Sequence, residues 1–295
     1  MPEEDHKATL RRTASVVALH ALSGPCREMT ERNNSDPAGF SCLVFAFRAS
    51  IFFDRSDTPQ APMKGARMNL DQAIQERRSI RGFTDQPVSK DLLEEIIALA
   101  NRAPSSMNTQ PWHLHVLTGE PLERVRKGNT EKMLGGVPPS REIEDYAAYE
   151  GPHRERQIEI AIQLFEAMGI ERHDAEKRQD WVMRGFRQFD APVSVVVCFD
   201  RSLLDNTIAY FDTGAMTYGL VLAAWSRGLG AVINGQGIMQ SPVVREVANI
   251  PEDQVILTCI ALGWPDEDFA ANSVVSRRRP ESNTTRFLGF DDASS

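Results

Sequence analysis

Apolar residues recur along this chain at two spacings, and strand-like stretches alternate with helical stretches from about residue 69 onward. The strand-like stretches are short runs of β-branched and other apolar residues, bounded by proline, glycine or polar residues. They predict strands at 112–117, 192–199, 231–233 and 254–263. Apolar residues elsewhere fall three or four positions apart and predict helices between these strands.

The helical pattern is strongest in two places. After Ser89, a suitable N-cap, apolar residues line one face until Pro104 ends the helix. A longer stretch at 206–227 is apolar on more than one side, so it must be buried on several sides, and Gly228 ends it. Further helices are predicted at 69–78, 121–127, 155–168 and 174–186, and from Ser241-Pro242 onward in N-cap and N1 positions.

Two segments depart from this regular alternation. Residues 1–67 mix polar and mildly apolar stretches, and we expect an N-terminal extension that is disordered or not part of the native protein. Residues 140–187 are strongly charged and helical, which is typical of an inserted lid that sets specificity on a fixed scaffold. We therefore predict one domain at 68–290 that contains this insert.

Composition excludes several classes of protein. The net charge of −8 argues against a nucleic-acid binder, because nothing offsets repulsion from a phosphate backbone. The cysteines show no Cys-x-x-Cys spacing, and Cys198 and Cys259 lie in apolar runs, which favours the reducing cytoplasm. No apolar run reaches the roughly 20 residues of a membrane span. His113 and His115 lack a third ligand in the sequence pattern, so we expect no metal site.

The densest polar chemistry lies in two short segments separated by one amphipathic helix. The first is Arg77-Arg78-Ser79-Ile80-Arg81, whose guanidiniums and hydroxyl are fork-shaped donors suited to a phosphate monoester. The second is Ala103-Pro104-Ser105-Ser106-Met107-Asn108-Thr109-Gln110-Pro111-Trp112, whose hydroxyls and amides suit the edge of a polar heteroaromatic ring. A phosphate clamp followed by a ring-edge clamp indicates a mononucleotide cofactor.

Together these segments resemble the FMN-dependent nitroreductase family, and the resemblance runs from about Met68 to Arg279. It implies an α+β fold with a mostly antiparallel central sheet flanked by helices. It also implies a domain-entwined homodimer, with the helix at 206–227 at its centre and two FMN sites across the interface. Gly214, Ala215 and Gly219 would permit the close approach of two such helices.

The resemblance also implies roles for single residues. Arg77 and Ser79 match positions that hold the phosphate and ribityl end of FMN, and Arg278 matches a second phosphate-binding arginine, with its neighbour a weaker candidate. The turn at Gln236 and Gly237 matches one whose backbone faces the flavin N5 atom. The expected FMN-binding set, in which residues 104–108 come from the second subunit, is Arg77, Arg78, Ser79, Arg81, Pro104, Ser105, Ser106, Asn108, Gln236, Gly237, Arg277 and Arg278.

Arg81 has a physical reason to matter. It matches a basic residue near the pyrimidine side of the flavin, and a reduced flavin carries negative charge on its N1–C2 edge. A fixed cation there favours the two-electron-reduced state. No catalytic side chain is expected, because the cofactor carries the chemistry.

The implied reaction is a ping-pong exchange in the cytoplasm. NADPH or NADH reduces FMN, leaves, and a nitroaromatic or quinone takes the electrons, with a nitro group passing through nitroso to hydroxylamine. The predicted insert supplies aromatic residues that could line an acceptor pocket: Tyr146, Tyr149, Phe165, Trp181, Phe186 and Phe189. It also supplies arginines that favour a carboxylated acceptor such as a nitrobenzoate: Arg141, Arg154, Arg172, Arg178, Arg184 and Arg187.

Two alternatives remain open at this point. One is different chemistry on the same fold, namely reductive dehalogenation, dehydropeptide oxidation or breakdown of the flavin itself. The other is a flavin-binding protein without turnover. The sequence does not name the physiological acceptor, choose between NADH and NADPH, or rank Arg277 against Arg278.

Overall fold

The computed structural model describes residues 68–143 and 148–290 of the chain. The predicted N-terminal extension and Tyr146 lie outside these residues. The four strands are β1 (Trp112–Thr118), β2 (Val193–Asp200), β3 (Gly230–Asn234) and β4 (Gln254–Gly263). The helices are α1 (Leu70–Glu76), α2 (Lys90–Ala100), α3 (Gly119–Leu134), α4 (Gly151–Ala167), α5 (Ala175–Phe186), α6 (Thr207–Trp225) and α7 (Ser241–Ala248).

The strands form one sheet in the order β1-β2-β4-β3, and every neighbouring pair is antiparallel. Strand β2 lies inside the sheet and is fully buried from Val193 to Phe199. Such a strand is a continuous β-branched run because both of its faces need apolar residues. The observed architecture is the predicted α+β fold with an antiparallel sheet.

Side-chain alternation along β2 divides the core into two layers. Val195 and Val197 pack on the face that helices α2 and α6 cover. Val196 and Cys198 point to the opposite face, where they meet residues of α3 and α7. Successive side chains of a strand point to opposite faces, so this single run anchors helices on both sides of the sheet.

Helix α3 is longer than the predicted helix at 121–127. It spans Gly119–Leu134, and its buried residues are Leu122, Val125 and Asn129. So few buried positions give a short apolar pattern, which explains why the sequence predicts only its first half. Gly128 lies inside this helix without ending it. A Cβ there would lie 2.6 Å from a methyl of Val243, so the glycine permits close packing against α7.

One of the two predicted N-caps is observed. Ser89 accepts a hydrogen bond from a backbone N–H in the first turn of α2, and Asn69 and Asn206 cap α1 and α6 in the same way. The prediction of Ser241 as an N-cap is wrong, because α7 begins at this residue and Gln240 is its N-cap. The Ser241 hydroxyl donates instead to the carbonyl of Ile238 at 2.8 Å.

The described residues bury helix α6 on one side only. Met216 and Leu220 are fully buried against the sheet, whereas Phe211 is 75% exposed and Ile208 and Tyr218 are about half exposed. The described residues of one chain therefore do not bury this helix on several sides, as the sequence led us to expect. An apolar surface of this kind marks a place where another surface packs.

Candidate functional site

The first predicted clamp lies beside the edge strand of the sheet. After α1 ends, Ser79 forms a parallel bridge with Ala231 of β3, and the N–H of Ile80 donates to the Ala231 carbonyl at 3.1 Å. Ile80 is buried, and a Cβ on Gly230 would lie 2.6 Å from its side chain, so the glycine allows this approach. An extended chain alternates its side chains, so Ser79 and Arg81 point away from the core that holds Ile80.

A buried asparagine from the far end of the chain fixes this segment. The Asn272 side-chain oxygen accepts from the N–H groups of Arg81 and Gly82, at 2.7 and 3.1 Å. Its amide donates to the carbonyls of Gly82 and Asp266, both at 2.8 Å. The Asn272 carbonyl accepts from Nε of Arg78 at 2.6 Å. The backbone of the clamp is thereby set before any ligand binds.

The arginines of the clamp have no acidic partners in the part of the chain that the structure describes: no carboxylate there forms an ion pair with Arg77, Arg78 or Arg81. The Arg78 guanidinium lies 5.5 Å from the centre of the Trp225 ring, and Nε of Arg77 is buried without a hydrogen-bond partner. Burial lowers the pKa of Arg81 to about 10, so at neutral pH it stays charged in a poorly solvated position. Guanidiniums concentrated in this way suit an external anion.

Strand β3 leads directly from the clamp to the predicted backbone turn. The N–H of Gln236 donates to the Asn234 side chain at 3.1 Å, and Asn129 donates to the Gly237 carbonyl at 2.7 Å. A Cβ on Gly237 would lie 2.6 Å from the sulfur of Cys259, so only glycine fits there. Among the described residues, the Gly237 N–H donates to no acceptor.

Helix α5, from the predicted insert, contacts both the clamp and the turn. The Asn234 side chain donates to the Gly185 carbonyl at 2.7 Å, and Gln236 donates to the Val182 carbonyl at 3.4 Å. Arg184 donates to the carbonyl of Arg81 at 3.4 Å. The C-terminal half of α5 therefore forms one wall of the candidate site.

The connection from α5 into β2 is conformationally unusual. Gln188, Phe189 and Asp190 have φ values of 57°, 56° and 56°, a left-handed conformation that costs about 1 kcal/mol or more for each residue with a side chain. Nε of Arg126 donates to the Arg187 carbonyl at 2.9 Å, and a second N–H of Arg126 donates to the Ala191 carbonyl. Hydrogen bonds on both flanks thus hold this turn against the end of α5.

The second predicted clamp lies elsewhere on the chain. Its loop contains a short 3-10 turn at Ser106–Asn108, and the Ser106 N–H donates to the buried carboxylate of Asp212 in α6 at 2.9 Å. The Ser105 hydroxyl accepts from the N–H of Gln110 at 3.0 Å. Pro104, Ser106 and Asn108 are exposed. Within the described residues, no hydrogen bond or ion pair joins this loop to the first clamp or to the turn at 236–237.

The C-terminal arginines are also separate from the first clamp. Residues 275–290 are exposed throughout. Arg277 lies 3.4 Å from the Glu159 carboxylate on α4, and Arg278 donates to the hydroxyl of Ser276 at 2.7 Å. One chain therefore holds the first clamp, the backbone turn and the α5 wall together, and presents the other predicted residues on two exposed segments.

Comparison with known proteins identifies the fold and the lineage. The sequence model of the nitroreductase family matches residues 74–264 of the chain. The chain belongs to the nitroreductase family. The structure of the FMN-dependent nitroreductase NfnB from Mycobacterium smegmatis in complex with NADPH superposes with a TM-score of 0.69 at 25% identity, covering 74% of this chain and 97% of that one.

Sequence relatives of this nitroreductase family member include enzymes named for nitroaromatic substrates. A nitrobenzene nitroreductase from Ectopseudomonas oleovorans is 37% identical over 220 residues, covering 73% of this chain and 96% of the relative. A 4-nitrobenzoate reductase from Nocardioides sp. (strain LMS-CY) is 30% identical over 231 residues, covering 76% of this chain and 91% of the relative. The family resemblance of the two clamp segments is thereby confirmed.

Several residues of this nitroreductase site carry no local sequence signal. Asn272 reaches residues about 190 positions away, and Asp212 reaches across 106 positions. Asn234 is the last residue of β3, one position beyond the predicted strand, and its side chain contacts both α5 and the turn. Asp212 is the exception, because an acidic residue within an otherwise apolar predicted helix is itself a sequence signal of a specific contact.

The aromatic residues of the insert differ in burial and in what they contact. Phe186 and Phe189 are buried in the core, so neither lines an open pocket in this chain. Phe165 packs under the Arg178 guanidinium at 5.8 Å, and Tyr149 is 49% exposed. Trp181 is partly buried on α5, the helix that walls the site.

The insert arginines are mostly engaged within the chain. Arg187 pairs with Asp180 and Asp190, at 3.6 and 3.1 Å. Arg184 lies 4.6 Å from the centre of the Phe269 ring. The guanidinium of Arg141 lies 3.5 Å from the Gly235 carbonyl, beside the backbone turn.

The described part of the chain offers neither a metal-binding cluster nor an activated thiol. Residues 68–143 and 148–290 contain no cluster of His, Cys, Asp and Glu that could hold a metal ion. No helix within those ranges has the length and apolar character needed to span a membrane. Burial raises the pKa of the Cys198 and Cys259 thiols to about 12, so neither is a thiolate nucleophile at neutral pH.

Proposed function

We propose that this protein is an FMN-dependent nitroreductase that oxidises NADPH or NADH and reduces a nitroaromatic acceptor. One observation carries the proposal: Arg77, Arg78 and Arg81 form no ion pair with any described carboxylate, although the chain has a net charge of −8. Guanidiniums that form no ion pair with a described carboxylate, in a protein of net negative charge, indicate that the counter-charge comes from a bound ligand. The relatives named above support FMN as that ligand.

The residues present fit this cofactor. Arg77, whose Nε lacks a partner, and Ser79 would hold the phosphate and ribityl end, and Arg278 of the exposed arm would add a second phosphate contact. FMN, when bound, accepts hydride from NAD(P)H and passes electrons to the nitro group. Arg81 would stabilise negative charge on the N1–C2 edge, and the N–H of Gly237 would orient the ring near N5. Each of these residue roles is part of the proposal.

We infer that two copies of the chain complete each site. The exposed apolar side of α6 supports this, because Phe211 lies next to Gly214, where a Cβ would meet nothing within 4 Å, leaving room for a close approach. The exposed arm, with Phe287 and Phe290 each about 75% exposed, suits a segment that packs on a second copy. Sedimentation of the Phe211→Glu variant tests this: a monomer that still binds FMN with wild-type affinity contradicts the shared site.

The acceptor is expected to be a nitroarene, with Arg141 as a candidate for recognising a carboxylate. Its position 3.5 Å from the Gly235 carbonyl puts a guanidinium beside the proposed N5 turn. If the acceptor is nitrobenzoate-like, Arg141→Ala should raise KM for 4-nitrobenzoate about tenfold and leave KM for nitrobenzene unchanged. Equal changes for both acceptors would remove Arg141 from that role.

An absorbance experiment tests the function as a whole. The full chain is purified with FMN and its visible spectrum is followed under anaerobic conditions on addition of NADPH or NADH, and then of nitrobenzene. Bleaching by the nicotinamide and recovery with the nitro compound are expected. Bound flavin that never bleaches indicates a binding protein without turnover, and failure to bind FMN contradicts the proposal. A chain that starts at Met68 should behave identically if the functional domain is 68–290.

A further inference from the structure

Asp212 is a buried carboxylate in the middle of an apolar helix. It is 3% exposed, and no cation in the described part of the chain lies within ion-pair distance of it. Its Oδ2 atom accepts from the Ser106 N–H at 2.9 Å, and this is its one hydrogen bond to the described residues. Burying a charge with so few partners costs free energy. Among the described contacts of this carboxylate, the hydrogen bond to Ser106 is the one that links it to another element.

The loop that Asp212 holds has a backbone that needs support. Met107, Asn108 and Gln110 have φ values of 51°, 61° and 48°, each in the left-handed region that residues with side chains seldom adopt. The other hydrogen bonds of the loop are internal, such as those from Gln110 to the Ser105 hydroxyl and the Asn108 carbonyl. Within the ranges described, the bond to Asp212 is the one that ties residues 105–110 to another element.

The same arrangement prepares the loop's side chains for a ligand. The Ser105 oxygen accepts from the Gln110 N–H, so the hydroxyl hydrogen remains available to donate. The Asn108 side chain makes no hydrogen bond to the described residues and is exposed. The hydrogen bond to Asp212 fixes the loop backbone, while the Ser105 hydroxyl hydrogen and the Asn108 amide make no hydrogen bond to the described residues. The loop is thus organised for binding before the ligand arrives.

We propose that Asp212 is a positioning residue of the FMN site, which fixes the loop at Ser105–Asn108 so that its hydroxyl and amide groups meet the cofactor. This inference rests on the proposed function. A charge-assisted hydrogen bond is roughly twice as strong as a neutral one, which explains why an acidic residue occupies this position. The role is distinct from contact, because Asp212 acts on the cofactor only through the loop.

Hydrogen exchange and FMN affinity of the full chain test the role together. In Asp212→Ala, we expect the Ser106 amide to exchange at least tenfold faster, while amides of β2 keep their protection. The Kd for FMN should rise about tenfold, which corresponds to the net value of one buried hydrogen bond to a charged group. Asp212→Asn keeps an oxygen that accepts from Ser106 but loses the charge, so it should recover about half of both effects. Thr217→Ala is the matched control, since the buried Thr217 hydroxyl of the same helix has no hydrogen-bond partner among the described residues.

A second variant covers the case in which Asp212→Ala does not fold. Ser106→Pro removes the N–H donor and leaves Asp212 intact, and the extended Ser105 backbone (φ −141°, ψ 156°) is compatible with a following proline. It should weaken FMN binding as Asp212→Ala does, and more than Ser106→Ala, which loses the hydroxyl expected at the FMN site but keeps the N–H donor to Asp212. Unchanged exchange at Ser106, or unchanged FMN affinity in both variants, overturns the role of Asp212 alone. A wild-type chain that does not bind FMN overturns the proposed function and this role with it.

Discussion

The two arginine-rich segments of this protein differ in how the fold holds them. The segment at 77–82 is bridged to β3 and bonded by Asn272, and its arginines have no described carboxylate partner. The arm at 275–290 is exposed throughout, and its hydrogen bonds are local. Both segments are proposed to bind the same phosphate. The first is built in advance, whereas the second takes its position only when something else meets it.

The two segments should therefore differ in how much side-chain freedom they lose when the phosphate binds. A preorganised cation loses little side-chain freedom on binding, whereas each long side chain of a free arm loses about 0.5–1.5 kcal/mol on being ordered. The first segment should therefore govern affinity and electrostatics, and the arm should add a smaller increment. Substitutions of the same type in the two segments measure that difference.

The largest expected effect is on stability, from Asn272→Ala. It removes two acceptor and two donor contacts inside the fold and leaves the N–H groups of Arg81 and Gly82 without a partner. Leaving buried polar groups unpaired should lower the free energy of unfolding by about 3 kcal/mol. Urea denaturation of the full chain measures the change.

The matched control is Asn283→Ala in the arm. Asn283 is exposed and its side chain makes no hydrogen bond to the described residues, so the change should stay within about 0.5 kcal/mol. If both substitutions cost the same, the first segment is no better anchored than the arm and the comparison fails.

The sequence predicts most of the fold because its two central strands, β2 and β4, are largely buried on both faces. The β-branched run of β2 and the apolar residues of β4 leave no other assignment, and their predicted bounds differ from the observed ones by one residue at most. The predicted range of α3 is too short because a partly exposed helix needs only a few apolar positions. The division of α6 into a buried and an exposed side depends on tertiary packing, which the composition of the helix does not reveal.

The candidate site divides in the same way. Short-range motifs drew attention to Arg77, Ser79 and the loop at 104–108, because their donors are close in sequence. The residues that hold those motifs were missed, since Asn272 and Asp212 act across 190 and 106 positions. Sequence spacing predicts which groups face a ligand, and the long-range hydrogen bonds decide whether those groups stay in place.

The next largest effect is expected on electron transfer, from Arg81→Ala. Loss of a fixed cation near the N1–C2 edge should lower the flavin potential by roughly 40–60 mV, which is about 2–3 kcal/mol for a two-electron couple. The rate of flavin reduction by NADPH should fall about 100-fold. FMN affinity should fall less than about tenfold. Redox titration and stopped-flow absorbance supply these values.

Arg81→Lys is the control, because it keeps the charge and loses the planar fork. It should recover part of the potential. Unchanged reduction kinetics in Arg81→Ala would contradict the role assigned to this residue, and a large loss of affinity with an unchanged potential would make it a phosphate ligand like Arg77.

A smaller effect is expected from the arm. Arg278→Ala should weaken FMN binding about tenfold by removing one charge-assisted contact to phosphate. Arg277→Ala should weaken it less than about threefold, since Arg277 lies 3.4 Å from Glu159 in the unbound chain. Fluorescence titration with FMN measures both. The opposite order would assign the phosphate to Arg277, and a loss as large as that of Arg77→Ala would show that the arm is as organised as the first segment.

The smallest expected effect comes from Glu159→Gln, which removes the one ion pair that the described arm makes with a helix. The Arg277 side chain is 82% exposed and that of Glu159 is 43% exposed, so solvent screens the pair and its loss should change stability by less than about 0.5 kcal/mol. Cleavage by trypsin after Arg277 and Arg278 should be as fast as in the unchanged protein, because the pair does not hold the arm. A marked rise in cleavage would mean that a single surface contact orders the arm, and the contrast with the anchored segment would then be one of degree.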